Sequence, residues 1–69
     1  MNQKAQQTRE RILDAALSVF ASKGYHDTRM DDIVAEASSS KGAVYFHFPG
    51  KEKLFLALVD KFANLLKPV

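Results

Sequence analysis

The chain has no cysteine, which removes a disulfide framework, a thiolate metal site and a thiol nucleophile. No apolar run approaches the ~20 residues needed to cross a bilayer. The polar start, MNQKAQQ, lacks the apolar stretch of a signal peptide. A cytoplasmic protein is the expectation. Charge of one sign is scarce as well: a net charge of +2 does not by itself indicate a nucleic-acid partner. At 69 residues the chain makes one small domain, near the lower limit for a self-sufficient core.

Catalytic patterns are missing too. There is no HExxH pair, no P-loop and no glycine-rich dinucleotide turn. Asp27, Asp31, Asp32 and Glu36 cluster, but no basic or histidine partner stands at a spacing that suggests acid–base work. His26 and His47 are too isolated to propose as metal ligands. Neither an enzyme nor a cofactor nor a metal site is expected.

What the chain does have is concentrated between Thr28 and Phe48, TRMDDIVAEASSSKGAVYFHF. This stretch reads as two very short helices split by a serine-rich turn. Thr28 stands three residues before Asp31, the spacing of a capping box for a helix starting near Arg29. Ile33, Val34 and Ala37 give that helix one apolar side. Ser38, Ser39 and Ser40 break it, because serine side chains compete for backbone hydrogen bonds and favour caps. A second helix restarts at Lys41 and ends by Pro49 and Gly50. Barely two turns long, it cannot stand on propensity alone. Residues 26–40 hold four acids against Arg29, whereas residues 41–53 hold Lys41, Lys51 and Lys53 against Glu52. Positive charge thus gathers around a short helix that shows lysine, tyrosine and histidine outward, as a DNA-reading surface requires.

Longer helices flank this pair. The first is predicted from near Gln6 to Gly24, a residue suited to the left-handed position after a helix. Ile12, Leu13, Ala16, Leu17 and Phe20 form its apolar face, and Tyr25 is expected to pack back onto the core. Lys4, Arg9 and Arg11 lie where the helix dipole disfavours them. They are either solubility charges or a basic arm toward phosphates. The last helix is predicted from Lys51 to Lys67, with Gly50 as N-cap and Pro68 as stop. Leu54, Leu58, Phe62 and Leu65 can form one apolar stripe, and Phe55, Val59 and Leu66 a neighbouring one. A helix apolar over so wide an arc expects a second partner. The chain is then part of something larger, or it dimerises through this helix.

The blocks RILDAALSVFASKGY, TRMDDIVAEA and SKGAVYFHFPGKEKLF resemble, in order and spacing, the N-terminal DNA-binding domain of TetR/AcrR-type transcriptional regulators. The resemblance covers nearly the whole chain. It implies an all-α fold over residues 1–69: a three-helix helix-turn-helix domain, with the motif at about 28–48, plus the start of a fourth, linker helix from about residue 51. It also implies a homodimer on a pseudo-palindromic operator, most often as a repressor. A ligand-binding and dimerisation domain, absent here, would take the small-molecule inducer. Three positions depart from the family pattern. Ser38 and Ser39 stand where a glycine and an aliphatic residue are usual, and Ala43 where threonine or serine is frequent. A left-handed residue without glycine costs roughly 1 kcal/mol, and without the aliphatic residue the turn loses an anchor.

A reading helix puts its N-terminal residues at base edges. That assigns Ser40, Lys41, Gly42 and Ala43 to base contacts, Lys41 through guanine O6 and N7 and Ala43 through a thymine methyl. Gly42 either lets the backbone approach DNA or permits a close helix–helix contact. Phe46 covers a base or sugar or is an ordinary surface aromatic, while Val44 and Phe48 belong to the core. Phosphates are assigned to Thr28 and Arg29 at one helix N-terminus and to Lys51 at another. The resemblance adds Tyr45 and His47 as backbone clamps. The competing expectation is a small helical protein-interaction module that binds through the apolar last helix.

Overall fold

Apolar residues three and four apart wind into helices whose inward faces meet in one core. The computed structural model describes residues 3–66 and contains four helices: α1 (Gln3–Lys23), α2 (Met30–Ala37), α3 (Lys41–His47) and α4 (Lys51–Leu66). The all-α expectation holds, and both short helices lie inside the predicted 28–48 window. α1 begins three residues before Gln6, so Lys4 belongs to a helix and not to a loose arm. Lys67 and Pro68, the predicted end of the last helix, lie outside the described residues.

α1 is the platform, packing on all three other helices. It buries Ile12, Leu13, Ala15, Ala16 and Val19 against Ile33 and Ala37 of α2, Val44 of α3, Phe48, and Leu54 and Leu58 of α4. Leu17 is a correction: the predicted core residue is 40% exposed, and Ala15 and Val19 take the inward positions instead. Leu65 is another, at 72% exposure, because the core face of α4 ends with Leu58. Tyr25 leans on Phe20 and Phe55, with ring centroids 5.4 and 5.2 Å away, at the rim of the core.

The helix ends follow local chemistry. Gly24 takes φ +86° after α1, and its N–H donates to the Phe20 carbonyl at 2.8 Å. The capping box forms one residue later than predicted: the Arg29 N–H donates to Asp32 Oδ2 at 3.0 Å, not to Asp31. That bond, reinforced by the Lys23 ammonium at 3.0 Å, holds the Asp32 carboxyl below the usual carboxylate range. The Lys61 ammonium ties α4 to α1 through Glu10 at 2.9 Å and Asp14 at 3.7 Å. Glu10 raises the Lys61 pKa above its ordinary value. Solvent-exposed pairs such as these add little, so the apolar core decides stability.

Between α2 and α3 the turn keeps the left-handed residue without the glycine. Ser38 sits at φ 53°, ψ 37°, and its N–H donates to the Ala35 carbonyl at 3.3 Å. Ser39 replaces the missing aliphatic anchor with a polar one. Its Oγ accepts from Arg11 Nη2 at 3.0 Å and donates to the Ala37 carbonyl at 3.4 Å. Ser38→Gly should therefore raise stability by roughly 1 kcal/mol through relief of the left-handed strain, whereas Ser39→Gly should lower it. Urea midpoints with unchanged slopes are the measurement. A Ser38→Gly protein less stable than the wild type would contradict the strained turn.

Candidate nucleic-acid interface

α3 spends very little of itself on the core. Val44 is wholly buried and Phe48, just past its end, is 4% exposed. These two side chains hold the helix down, as the spacing predicted. Ser40 starts it, its Oγ accepting the Ala43 N–H at 3.1 Å. The rest faces outward. Lys41, Gly42, Tyr45 and Phe46 are exposed, and Ala43 and His47 are half-buried. Phe46 is 81% exposed, an unusual cost for a phenylalanine in a small domain. Its ring meets His47 edge-on at 5.1 Å. The Lys41 ammonium lies 6.0 Å from the Tyr45 ring centroid, one turn along the same face.

Gly42 can now be read. A Cβ built there meets nothing within 4 Å, so no neighbouring helix requires the glycine. The close helix–helix alternative falls, and an open backbone at the start of α3 remains.

Two cations join this face that the sequence offered only as an arm. The Arg9 guanidinium lies 5.1 Å over the Phe48 ring at the C-terminal end of α3. Arg11 reaches the turn at the N-terminal end through Ser39. Spacing gave no signal for the pair, since residues two apart on a helix point roughly 200° apart.

Two predicted phosphate contacts do not hold. Thr28 is 2% exposed, and its hydroxyl donates to the Gly24 carbonyl at 2.7 Å, fastening the α1–α2 turn. No part of it is presented to a phosphate. Lys51 is committed as well: its ammonium donates to the carbonyls of Tyr25 at 2.7 Å, His26 at 3.1 Å and Thr28 at 3.0 Å. Those three bonds use all three N–H groups of a lysine. Arg29 stays exposed at the start of α2, beside the Asp32 carboxylate that already caps the helix N-terminus.

Away from α3, which lends it no residue, Leu17 and Phe20 of α1 and Phe55, Val59, Phe62 and Leu66 of α4 line an open apolar groove of about 430 Å³. This is the second apolar arc of the last helix. Among the described residues, no helix is long and apolar enough to cross a membrane.

The family described as "Bacterial regulatory proteins, tetR family" matches residues 12–58, more than half of the chain. The chain is similar to the HTH-type transcriptional regulator SrpR of Pseudomonas putida, 45% identical over 56 residues that cover 81% of this chain and 26% of that protein. It is similar to the uncharacterized HTH-type transcriptional regulator TtgW, also of Pseudomonas putida, 45% identical over 56 residues, covering 81% of this chain and 42% of the relative. The A-factor receptor protein of Streptomyces griseus is 43% identical over 58 residues, covering 84% and 21% respectively. The chain thus spans less than half the length of these relatives. No solved structure matches it. The chain belongs to the tetR family of bacterial regulatory proteins, and residues 12–58 match that family's DNA-binding helix-turn-helix domain.

Proposed function

We propose that this domain reads double-stranded DNA in the major groove through α3, as the DNA-binding part of a transcriptional repressor. The observation that carries the reading is the outward face of α3, where Lys41, Gly42, Tyr45 and Phe46 are exposed while Val44 alone in the helix is buried. Lys41 and Gly42 are the base readers, with Ala43 and the Ser40 hydroxyl beside them. Phe46 lies against a base or sugar. Tyr45, His47 and Arg29 clamp phosphates, which orient the protein without specifying sequence. Thr28 and Lys51 are left out of the contact set.

The relatives' greater length supports a second, helical part of the full-length regulator that dimerises and takes a small-molecule inducer. Two copies then address a pseudo-palindromic operator whose half-sites lie about one helical turn, roughly 34 Å, apart. The apolar groove between α1 and α4 is the seat for that second part. A pure protein-interaction module would use the same groove but gives no reason for the uncovered face of α3. Cytoplasmic placement, with the nucleoid as target, goes with this reading.

Selecting bound sequences from a random duplex library tests the function and should yield a half-site motif. On the selected duplex, Lys41→Ala should cost roughly 1–3 kcal/mol, and much less on random DNA. Tyr45→Phe should weaken both alike. Binding to either duplex should fall as salt rises. Equal losses for both variants on both duplexes would undo the division between readers and clamps.

Gly42→Ala separates fold from function. With open space around the new methyl, helix propensity should raise stability by up to about 1 kcal/mol, while affinity for the selected duplex falls. A variant that gains both stability and affinity would remove Gly42 from the interface.

Left open, the groove should drive concentration-dependent self-association of this chain, since covering apolar surface offers about 25 cal/mol per Å². Sedimentation of the wild type against a Phe55→Ser, Phe62→Ser double variant measures it. A wild type that stays monomeric at high concentration would contradict the groove as a docking face.

A further inference from the structure

The bonds of Lys51 join distant parts of the chain. Its ammonium is 26, 25 and 23 residues from the three carbonyls it meets, those of Tyr25, His26 and Thr28. It also lies 4.4 Å from the centroid of the Tyr25 ring. Everything between those anchor points is the helix-turn-helix: α2 and α3 occupy residues 30–47. The motif therefore leaves the α1–α2 turn and returns, through Phe48, Pro49 and Gly50, to the same spot. One cation closes the circuit.

We infer that Lys51 is a positioning residue, a noncovalent clasp that binds the two ends of the helix-turn-helix to each other and to the first turn of α4. The chemistry suits the task. Carbonyls of the turn just after α1 lie near the negative end of that helix's dipole, where a cation is favoured. A compact ammonium can meet three converging carbonyls, and the ring above it supplies a fourth attraction. Thr28 serves both sides of the clasp, since its carbonyl accepts from Lys51 and its hydroxyl holds Gly24. The three-residue link between α3 and α4 then has no freedom to flex on its own. The reading helix is thereby held in a fixed attitude to the α1–α2 turn and to the first turn of α4. This assignment rests on the DNA-reading function proposed for α3.

The test compares wild type, Lys51→Met and Lys51→Arg in the 69-residue chain. Amide hydrogen exchange is measured on the free proteins. Binding is measured on a random-sequence duplex at several salt concentrations and on the selected duplex. Methionine keeps an unbranched stem and removes the ammonium. In Lys51→Met the amides of Thr28, Phe48 and Leu54 should lose protection together while those in the middle of α1 keep theirs. The salt slope should stay unchanged, and preference for the selected duplex over the random one should fall about tenfold, the scale of one charge-assisted hydrogen bond. A slope lower by about one with normal exchange would make Lys51 a phosphate contact and overturn the clasp. A uniform rise in exchange across the whole core would make it a general stabiliser and overturn it equally. If Lys51→Met does not fold, Lys51→Arg decides. Arginine keeps the charge, but its planar fork cannot converge on three carbonyls, so the same two ends should loosen. Normal exchange with full preference in Lys51→Arg would sink the proposal. Should the wild type bind neither duplex, the DNA-reading function fails while hydrogen exchange still judges the clasp.

Discussion

A helix of two turns has too few internal hydrogen bonds to persist in water, so the seven residues of α3 exist only because something else holds them. Val44 and Phe48 are the points of attachment, both sunk into a core that α1 supplies with five side chains. The Ser40 cap fixes the start of the helix, and Arg11 fixes the turn before it through Ser39. With so little of α3 spent on burial, most of its surface is free for a partner. Stability and presentation are thereby separated: the platform folds the domain, and the outward face of α3 stays uncovered, as the proposed DNA contact requires.

The separation explains features that look costly when taken alone. An exposed phenylalanine at position 46, a glycine with no steric reason to be one, and a serine in left-handed backbone each weaken an isolated domain. Two of the three lie on the exposed face of α3, and the third shapes the turn before it. The polar ties are spread over the motif: Arg11 from α1 holds the turn before α3, the Asp32 carboxylate caps α2, and Lys51 at the start of α4 holds the α1–α2 turn. They constrain how the motif is presented more than they add to its burial.

Much of this was legible in the sequence, and what was not has a physical cause. Periodicity gave the four helices, the buried Val44 and Phe48 and the outward Phe46, because those depend on spacing within one element. Leu17 and Leu65 defeated the same reasoning. Each has core spacing on its own helix, but whether a neighbour lies opposite is a tertiary fact, and for Leu17 the facing surface is the open groove. Thr28 and Lys51 failed for a different reason. A helix N-terminus advertises a place for an anion, yet nothing local says that the threonine hydroxyl will turn back to Gly24. Nor does it say that a lysine 23 residues on will spend its donors on the turn's carbonyls. The wide apolar arc of α4 was readable as surplus. Its position against Leu17 and Phe20 was not.

The central claim is that the outward face of α3, and not the groove between α1 and α4, meets the DNA. Amide and methyl chemical shifts of the chain, followed as a selected duplex is added, test it most directly. The account predicts the largest changes from Ser40 to His47 and at Arg29, with Leu17, Val59 and Leu66 undisturbed. Changes gathered along the groove, with α3 silent at saturating DNA, would contradict it.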